Sequence, residues 1–250
     1  MTRILLSGCN GAMGRVITAA AQEREGVEIV AGIDPNTAAT AGYPVFATAA
    51  ECDIAADVII DFSHPTACAP LLEYAAAKKL PVVVATTGLG DEQIALVNKA
   101  AGALPVFFSW NMSLGINLMT ELCRTAARVL GQGFDIEIVE KHHNKKIDAP
   151  SGTAFMLADS IAEEFENPLR YEFDRHSKRQ RRTKDEIGIH AVRGGTIVGE
   201  HEVIFAGRDE LLTISHSARS KEVFATGAIS AAEFLCDKPA GMYSMADMMK

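Results

Sequence analysis

Short apolar runs alternate with longer alanine-rich amphipathic stretches through the first 110 residues. The runs at 4–7, 28–33, 58–62, 82–86 and 106–109 read as strands. The stretches at 13–25, 66–79 and 91–101 read as helices, the second begun by Pro65. Strands that alternate with helices predict a parallel, doubly wound sheet. The runs lack strict polar alternation, as expected where helices cover both faces of a sheet.

Beyond about residue 113 the pattern changes. Residues 114–130 read as one amphipathic helix, closed by Gly131-Gln132-Gly133. Residues 135–140 alternate as a strand through Ile136 and Ile138, and 154–165 read as a helix. The runs at 188–192, 202–205 and 211–216 are separated by turns, which predicts a mixed or antiparallel sheet. A last helix at 223–235 is read as returning to the first domain. The expected fold class is α/β: a Rossmann-type doubly wound parallel sheet plus a second α+β domain with a mixed sheet.

Composition narrows the function classes. The chain has 250 residues, 48% hydrophobic, with formal net charge -8. That balance argues against nonspecific nucleic-acid binding. No apolar run approaches the roughly 20 residues of a membrane span. The N-terminus carries no signal-peptide core, and five scattered cysteines suit a reducing compartment. A cytoplasmic location is expected, with no membrane partner. The segment 175–184 holds six Lys or Arg in ten. It reads as a solvated loop, with a lid or subunit-contact loop as the sharper alternative.

The strand at 4–7 runs into Gly8-Cys9-Asn10-Gly11-Ala12-Met13-Gly14, and Asp34 ends the second strand. Glycines there let backbone approach a pyrophosphate at a helix N-terminus, and the acid suits ribose hydroxyls. A dinucleotide cofactor is the reading, NADH and/or NADPH. Asp34 repels a 2′-phosphate and Pro35 offers no compensating charge, so NADH should serve at least as well, although Arg15 could help with phosphate. Thr86-Thr87-Gly88 and Ser109-Trp110-Asn111-Met112 close the fourth and fifth strands. They are candidates to flank the nicotinamide, as ligands sit beyond the carboxyl ends of parallel strands. Ser63 and His64 end the third strand and are weaker candidates; His64 reads better as an exposed loop histidine.

Glu140–Ala154 is the other unusual stretch, EKHHNKKIDAPSGTA, with two histidines and three lysines in its first seven residues. Along a strand His142 and His143 face opposite sides, and no His or Cys spacing suits a metal, so none is expected. A histidine exchanges protons near neutral pH, and Lys146 can bind a carboxylate or donate a proton. Ser151 is a good N-cap, and the Gly152 and Thr153 amides at a helix start suit an anion.

These motifs resemble the 4-hydroxy-tetrahydrodipicolinate reductase (dihydrodipicolinate reductase) family. The resemblance rests on Gly8-x-x-Gly11-x-Met13-Gly14-Arg15, Thr86-Thr87-Gly88, Asn111-x-Ser113-x-Gly115-x-Asn117 and, above all, Glu140-x-His142-His143-x-x-Lys146-x-Asp148-Ala149-Pro150-Ser151-Gly152-Thr153-Ala154. Arg193-Gly194-Gly195 and Val198-Gly199-Glu200-His201 fit as well. Cys9-Asn10, Pro35 and the basic loop depart from the family pattern. The resemblance implies a dinucleotide-binding domain of residues 1–112 and 222–250, and a substrate-binding and oligomerisation domain of 113–221. It implies a homotetramer and a small dicarboxylate substrate. Because the cofactor and substrate sites are read on different domains, closure about hinges near 112 and 222 is expected to join them.

The implied reaction is NAD(P)H-dependent reduction of 4-hydroxy-tetrahydrodipicolinate, with loss of water, in lysine and diaminopimelate biosynthesis. His142 and Lys146 are implied as catalytic, without deciding which moves the proton. His143, Gly152 and Thr153 are implied as substrate-binding. The alternatives are another two-domain nicotinamide dehydrogenase, which the His-His-x-x-Lys run disfavours, and a non-catalytic NAD(P)-sensing protein, which would have lost that run.

Overall fold

The structure, a computed structural model, describes residues 1–39 and 41–249. The chain divides into two compact units. One holds residues 1–114 and the chain from Lys221 onward, and the other is Gly115–Ser220.

The first unit is built on seven parallel strands. They are β1 (Thr2–Ser7), β2 (Val27–Ile33), β3 (Val45–Phe46), β4 (Val58–Asp61), β5 (Val82–Val84), β6 (Pro105–Phe108) and, from the chain's end, β12 (Gly241–Tyr243). Their spatial order is β12-β6-β5-β4-β1-β2-β3. The order reverses between β1 and β4, and the crevice beyond the carboxyl ends of those two strands is where such sheets bind ligands. The β1 run explains the absence of alternation. Ile4 and Leu6 face one layer with α1 (Ala12–Gln22) and α6 (Glu222–Leu235), while Leu5 faces the other with α2 (Cys68–Lys78) and α3 (Asp91–Ala101). All three are fully buried, each contributing about 1.5–3 kcal/mol of transfer free energy.

The helix expected from residue 66 begins one step differently. Pro65–Ala67 form a 3-10 turn, and the His64 ring caps it by accepting from the Thr66 N–H at 3.3 Å. The second helix proper starts at Cys68.

The second unit has five strands: β7 (Asp135–His142), β8 (Arg170–Glu172), β9 (Glu186–Arg193), β10 (Gly199–Ala206) and β11 (Leu211–Ala218). Their order is β11-β10-β7-β9-β8. β7 is antiparallel to β10 and parallel to β9, so the sheet is mixed. Helices α4 (Leu114–Leu130) and α5 (Gly152–Ala162) cover one face, packing Met119, Cys123, Leu157 and Ile161 onto Ile136, Ile138, Val203 and Phe205.

The basic segment 175–184 is not the freely solvated loop its charge suggests. Arg182 pairs with Asp135 at 2.6 Å and donates to the carbonyls of Ile136 and Glu186. Lys184 pairs with Asp135 at 2.8 Å, Arg175 with Glu186, and Lys178 with Glu172. The positive run is matched by acids at the ends of β7, β8 and β9, and Arg179 and Arg181 stay exposed.

Candidate active site

At the switch point, the glycine loop packs against the end of β4. Gly8 has φ +78, and a Cβ there would lie 2.6 Å from the Phe62 carbonyl oxygen. A Cβ on Gly14 would fall well inside van der Waals contact of the Gly8 and Cys9 carbonyl oxygens. Two positions therefore demand glycine, and helix α1 starts hard against the strand. Gly11 is its exposed N-cap, extended and without a side-chain cap bond. A helix start so arranged fits the pyrophosphate of a dinucleotide.

The remaining residues read for the cofactor site divide into outward and inward groups. Asp34 accepts from the Asn10 N–H at 3.1 Å and the Asn36 N–H at 3.0 Å, so it ties the glycine loop to the end of β2. The Asn10 side chain donates to the carbonyls of Asn36 and Ala38. Cys9 is 2% exposed with its thiol against Gly32, so only its backbone faces a ligand. Burial pushes that thiol up to about 11, which makes it a poor nucleophile.

Met112 is buried in the core, whereas Trp110 is 58% exposed with its ring edge-on to Phe108. Ser109 donates to the Asn111 carbonyl at 2.8 Å. Thr87 and Gly88 are exposed, with Gly88 at φ +76. Thr86 is buried and donates to Asp61 at 2.8 Å, and Asp61 also accepts from the Ser63 N–H at 3.1 Å. Asp61 thus ties the ends of β4 and β5 together at the crevice. The sequence hid it inside an apolar run.

The second unit gathers the Glu140–Ala154 residues at one end of its sheet. Register does this: His142 lies beside Arg193 on β9, and Glu140 lies opposite His201 on β10. The Glu140 side chain is fully buried. Its Oε1 accepts from Arg193 Nη2 at 2.7 Å and the Ser151 N–H at 2.9 Å. Its Oε2 accepts from Arg193 Nη1 at 2.7 Å and faces His142 Nδ1 at 2.7 Å. Burial would raise this carboxyl, but Arg193, His142 and the Ser151 amide outweigh it and hold the group below the ordinary glutamate range.

Burial lowers His142, with Lys146 and Arg193 acting the same way and Glu140 opposing. His201 is pushed down to about 3, first by burial and then by His142, so its ring stays neutral. The His201 ring lies edge-on to His142 with centroids 5.2 Å apart, and its Nε2 is 3.0 Å from Ser151 Oγ.

Ser151 is the N-cap of α5, its Oγ accepting from the Ala154 N–H at 3.2 Å. The first-turn amides of Gly152 and Thr153 lie at the positive end of that helix. Lys146 pairs with the exposed Asp148 at 2.9 Å. His143 is half-buried, and among the described residues its Nδ1 is buried without a hydrogen-bond partner. His142, His143, Lys146 and the α5 start therefore belong to one locality, while every residue read for the cofactor lies in the other unit. Among the described residues no group of His, Cys, Asp and Glu could hold a metal ion, and no helix is long and apolar enough to cross a membrane.

The chain is similar to known proteins along nearly its whole length. The 4-hydroxy-tetrahydrodipicolinate reductase of Caldanaerobacter subterraneus is 52% identical over 250 residues, covering all of this chain and 99% of its own. That of Staphylococcus epidermidis is 50% identical over 96% of this chain and 98% of its own. The dipicolinate-bound dihydrodipicolinate reductase from Paenisporosarcina sp. TG-14 superposes with a TM-score of 0.81 at 26% identity, over 98% of this chain and 97% of its own. A probable dehydrogenase from Thermotoga maritima, at TM-score 0.63 and 12% identity, shares the fold. Models of the N-terminus and C-terminus of dihydrodipicolinate reductase match residues 2–112 and 115–249, and the chain therefore belongs to the dihydrodipicolinate reductase family.

Proposed function

We propose that this chain reduces 4-hydroxy-tetrahydrodipicolinate, with loss of water, to tetrahydrodipicolinate, using NADH or NADPH, in lysine and diaminopimelate biosynthesis. The observation that carries the reading is the cluster of His142, His143, Lys146 and the α5 start on one end of the mixed sheet, in a chain 52% identical to a reductase of that name. A relative captured with dipicolinate, a planar ring bearing two carboxylates, supports a substrate of that charge and shape.

Reduced nicotinamide supplies the hydride when bound. The residues of this chain do the rest. Backbone at Gly8, Gly11 and Gly14 admits the pyrophosphate to the α1 start, and Asp34 presents a carboxylate at the ribose position. The Gly152 and Thr153 amides grip one substrate carboxylate, aided by His143 and Lys146. Negative charge that develops on the ring needs a cation or proton donor beside it. His142 or Lys146 delivers the proton to the carbon next to the one reduced. The assay that tests the whole reading follows NADH absorbance while the substrate is generated in situ. No decay with either cofactor sinks it and favours the non-catalytic sensor.

The acid at Asp34, followed by Pro35, sets the expected cofactor preference. A 2′-phosphate near that carboxylate costs Coulomb energy, and no cation follows it in the loop. The ratio of kcat/KM for NADH to that for NADPH is expected to be one or more, and a strong NADPH preference overturns this reading of Asp34.

Assembly as a homotetramer through the second unit belongs to the same reading. The face of its sheet away from α4 and α5 carries Val192 and Leu211 at opposite ends, 45% and 71% exposed, on a surface that also holds the Lys141–Glu200 and His190–Glu137 pairs. Sedimentation equilibrium is expected to give four times the chain mass of 26.8 kDa; a monomer at micromolar concentration refutes it.

A further inference from the structure

Glu140 is the most deeply buried charge of the second unit, and the proton chemistry assigned above does not use it. An ionised carboxylate offers about four lone-pair sites. Here four donors fill them: two Arg193 N–H groups, the Ser151 amide and His142 Nδ1. The Arg193 and Ser151 groups donate only, so the ionised carboxylate makes His142 Nδ1 donate as well. That leaves Nε2 as the free nitrogen, over Gly199, where a Cβ would come within 3.1 Å of it.

We propose that Glu140, clamped by Arg193, is a positioning residue: it fixes His142 in the Nδ1–H tautomer, with Nε2 as the working atom, and locks that ring to the α5 start that receives the substrate carboxylate. The inference rests on the proton-handling role given to His142. One carboxylate thus couples proton delivery to anion binding. It also supports the charged imidazole against burial, Lys146 and Arg193.

The test uses the full-length protein labelled with 15N-histidine. In wild type, the neutral His142 ring is expected to show its proton on Nδ1. In Glu140→Gln the side-chain amide turns a donor toward Nδ1, so the proton is expected to move to Nε2. The kcat is expected to fall by about 10²–10⁴-fold, by analogy with removing a carboxylate that orients a catalytic histidine. Removing the carboxylate removes what raises His142, so the limb of the pH–rate profile that reports this ring is expected to move to lower pH.

His142→Asn, assayed in parallel, separates the two ideas. Wild-type rate and pH profile in that variant sink the proton role of His142 itself. A dead His142→Asn beside a Glu140→Gln of wild-type kcat and unchanged pH limb overturns the positioning role alone. Should Glu140→Gln not fold, the wild-type spectrum still decides, and a neutral ring protonated on Nε2 overturns the proposal.

Discussion

Lys146→Ala is expected to lower kcat by about 10²–10⁴-fold and to leave the fold intact. The rate loss follows from the role. A proton donor, or a cation beside developing ring charge, is worth that range in mutational series. The intact fold follows from the surroundings. Among the described residues the one ion pair of Lys146 is with Asp148, whose side chain is 59% exposed. Such pairs contribute about 0–1 kcal/mol, so little stability is lost. The buried structure nearby is held by Glu140, Arg193 and Ser151, none of which bonds to the lysine. Steady-state kinetics with circular dichroism checks both halves. A rate near wild type removes Lys146 from the chemistry. A rise in KM with kcat unchanged reassigns it to carboxylate binding alone.

Legibility in the sequence followed how local each signal is. Helices α3 and α4 match the ranges read from periodicity, 91–101 and 114–130, because a long amphipathic repeat declares itself without its neighbours. The strands β3, β8 and β12, two or three residues each, were not legible. Val45 and Phe46 are a strand only because Gly32 and Ile33 lie beside them.

The same division runs through the site. Ser151 is read as an N-cap from its type and place, and it caps. The electrostatic hub at Glu140 required knowing that β9 runs beside β7 and brings Arg193 next to His142, 51 positions on in the chain. Glu140 two residues before His142 on one strand was the only local hint. The basic segment misled for the same reason, since its partners Asp135, Glu172 and Glu186 are scattered through the sequence.

Gly14→Ala is expected to strike the cofactor site through geometry alone. The added methyl would lie inside the carbonyls of Gly8 and Cys9, which are backbone and cannot rotate aside. Relief requires α1 to move outward, and Thr18 with it, whose hydroxyl bonds the Gly14 carbonyl at 2.9 Å and meets Tyr43 at 2.8 Å. Overpacking of this kind costs about 1–3 kcal/mol of stability. A shift of about 1 Å at the α1 start misplaces the pyrophosphate and, with it, the hydride donor, for a loss of about 10²-fold in kcat/KM. Gly11→Ala provides the contrast. Its Cβ would sit 3.1 Å from the Gly8 carbonyl oxygen at an exposed N-cap, a smaller intrusion. Thermal melts with and without NADH separate the effects, because a bound cofactor raises stability by RT ln(1 + [L]/Kd). The expected result is a lowered melting point without cofactor and a much reduced rise on adding it in Gly14→Ala, with both changes smaller in Gly11→Ala. A Gly14→Ala protein with wild-type melting and wild-type response to NADH would mean that the close approach of α1 to the glycine loop has no part in holding the dinucleotide.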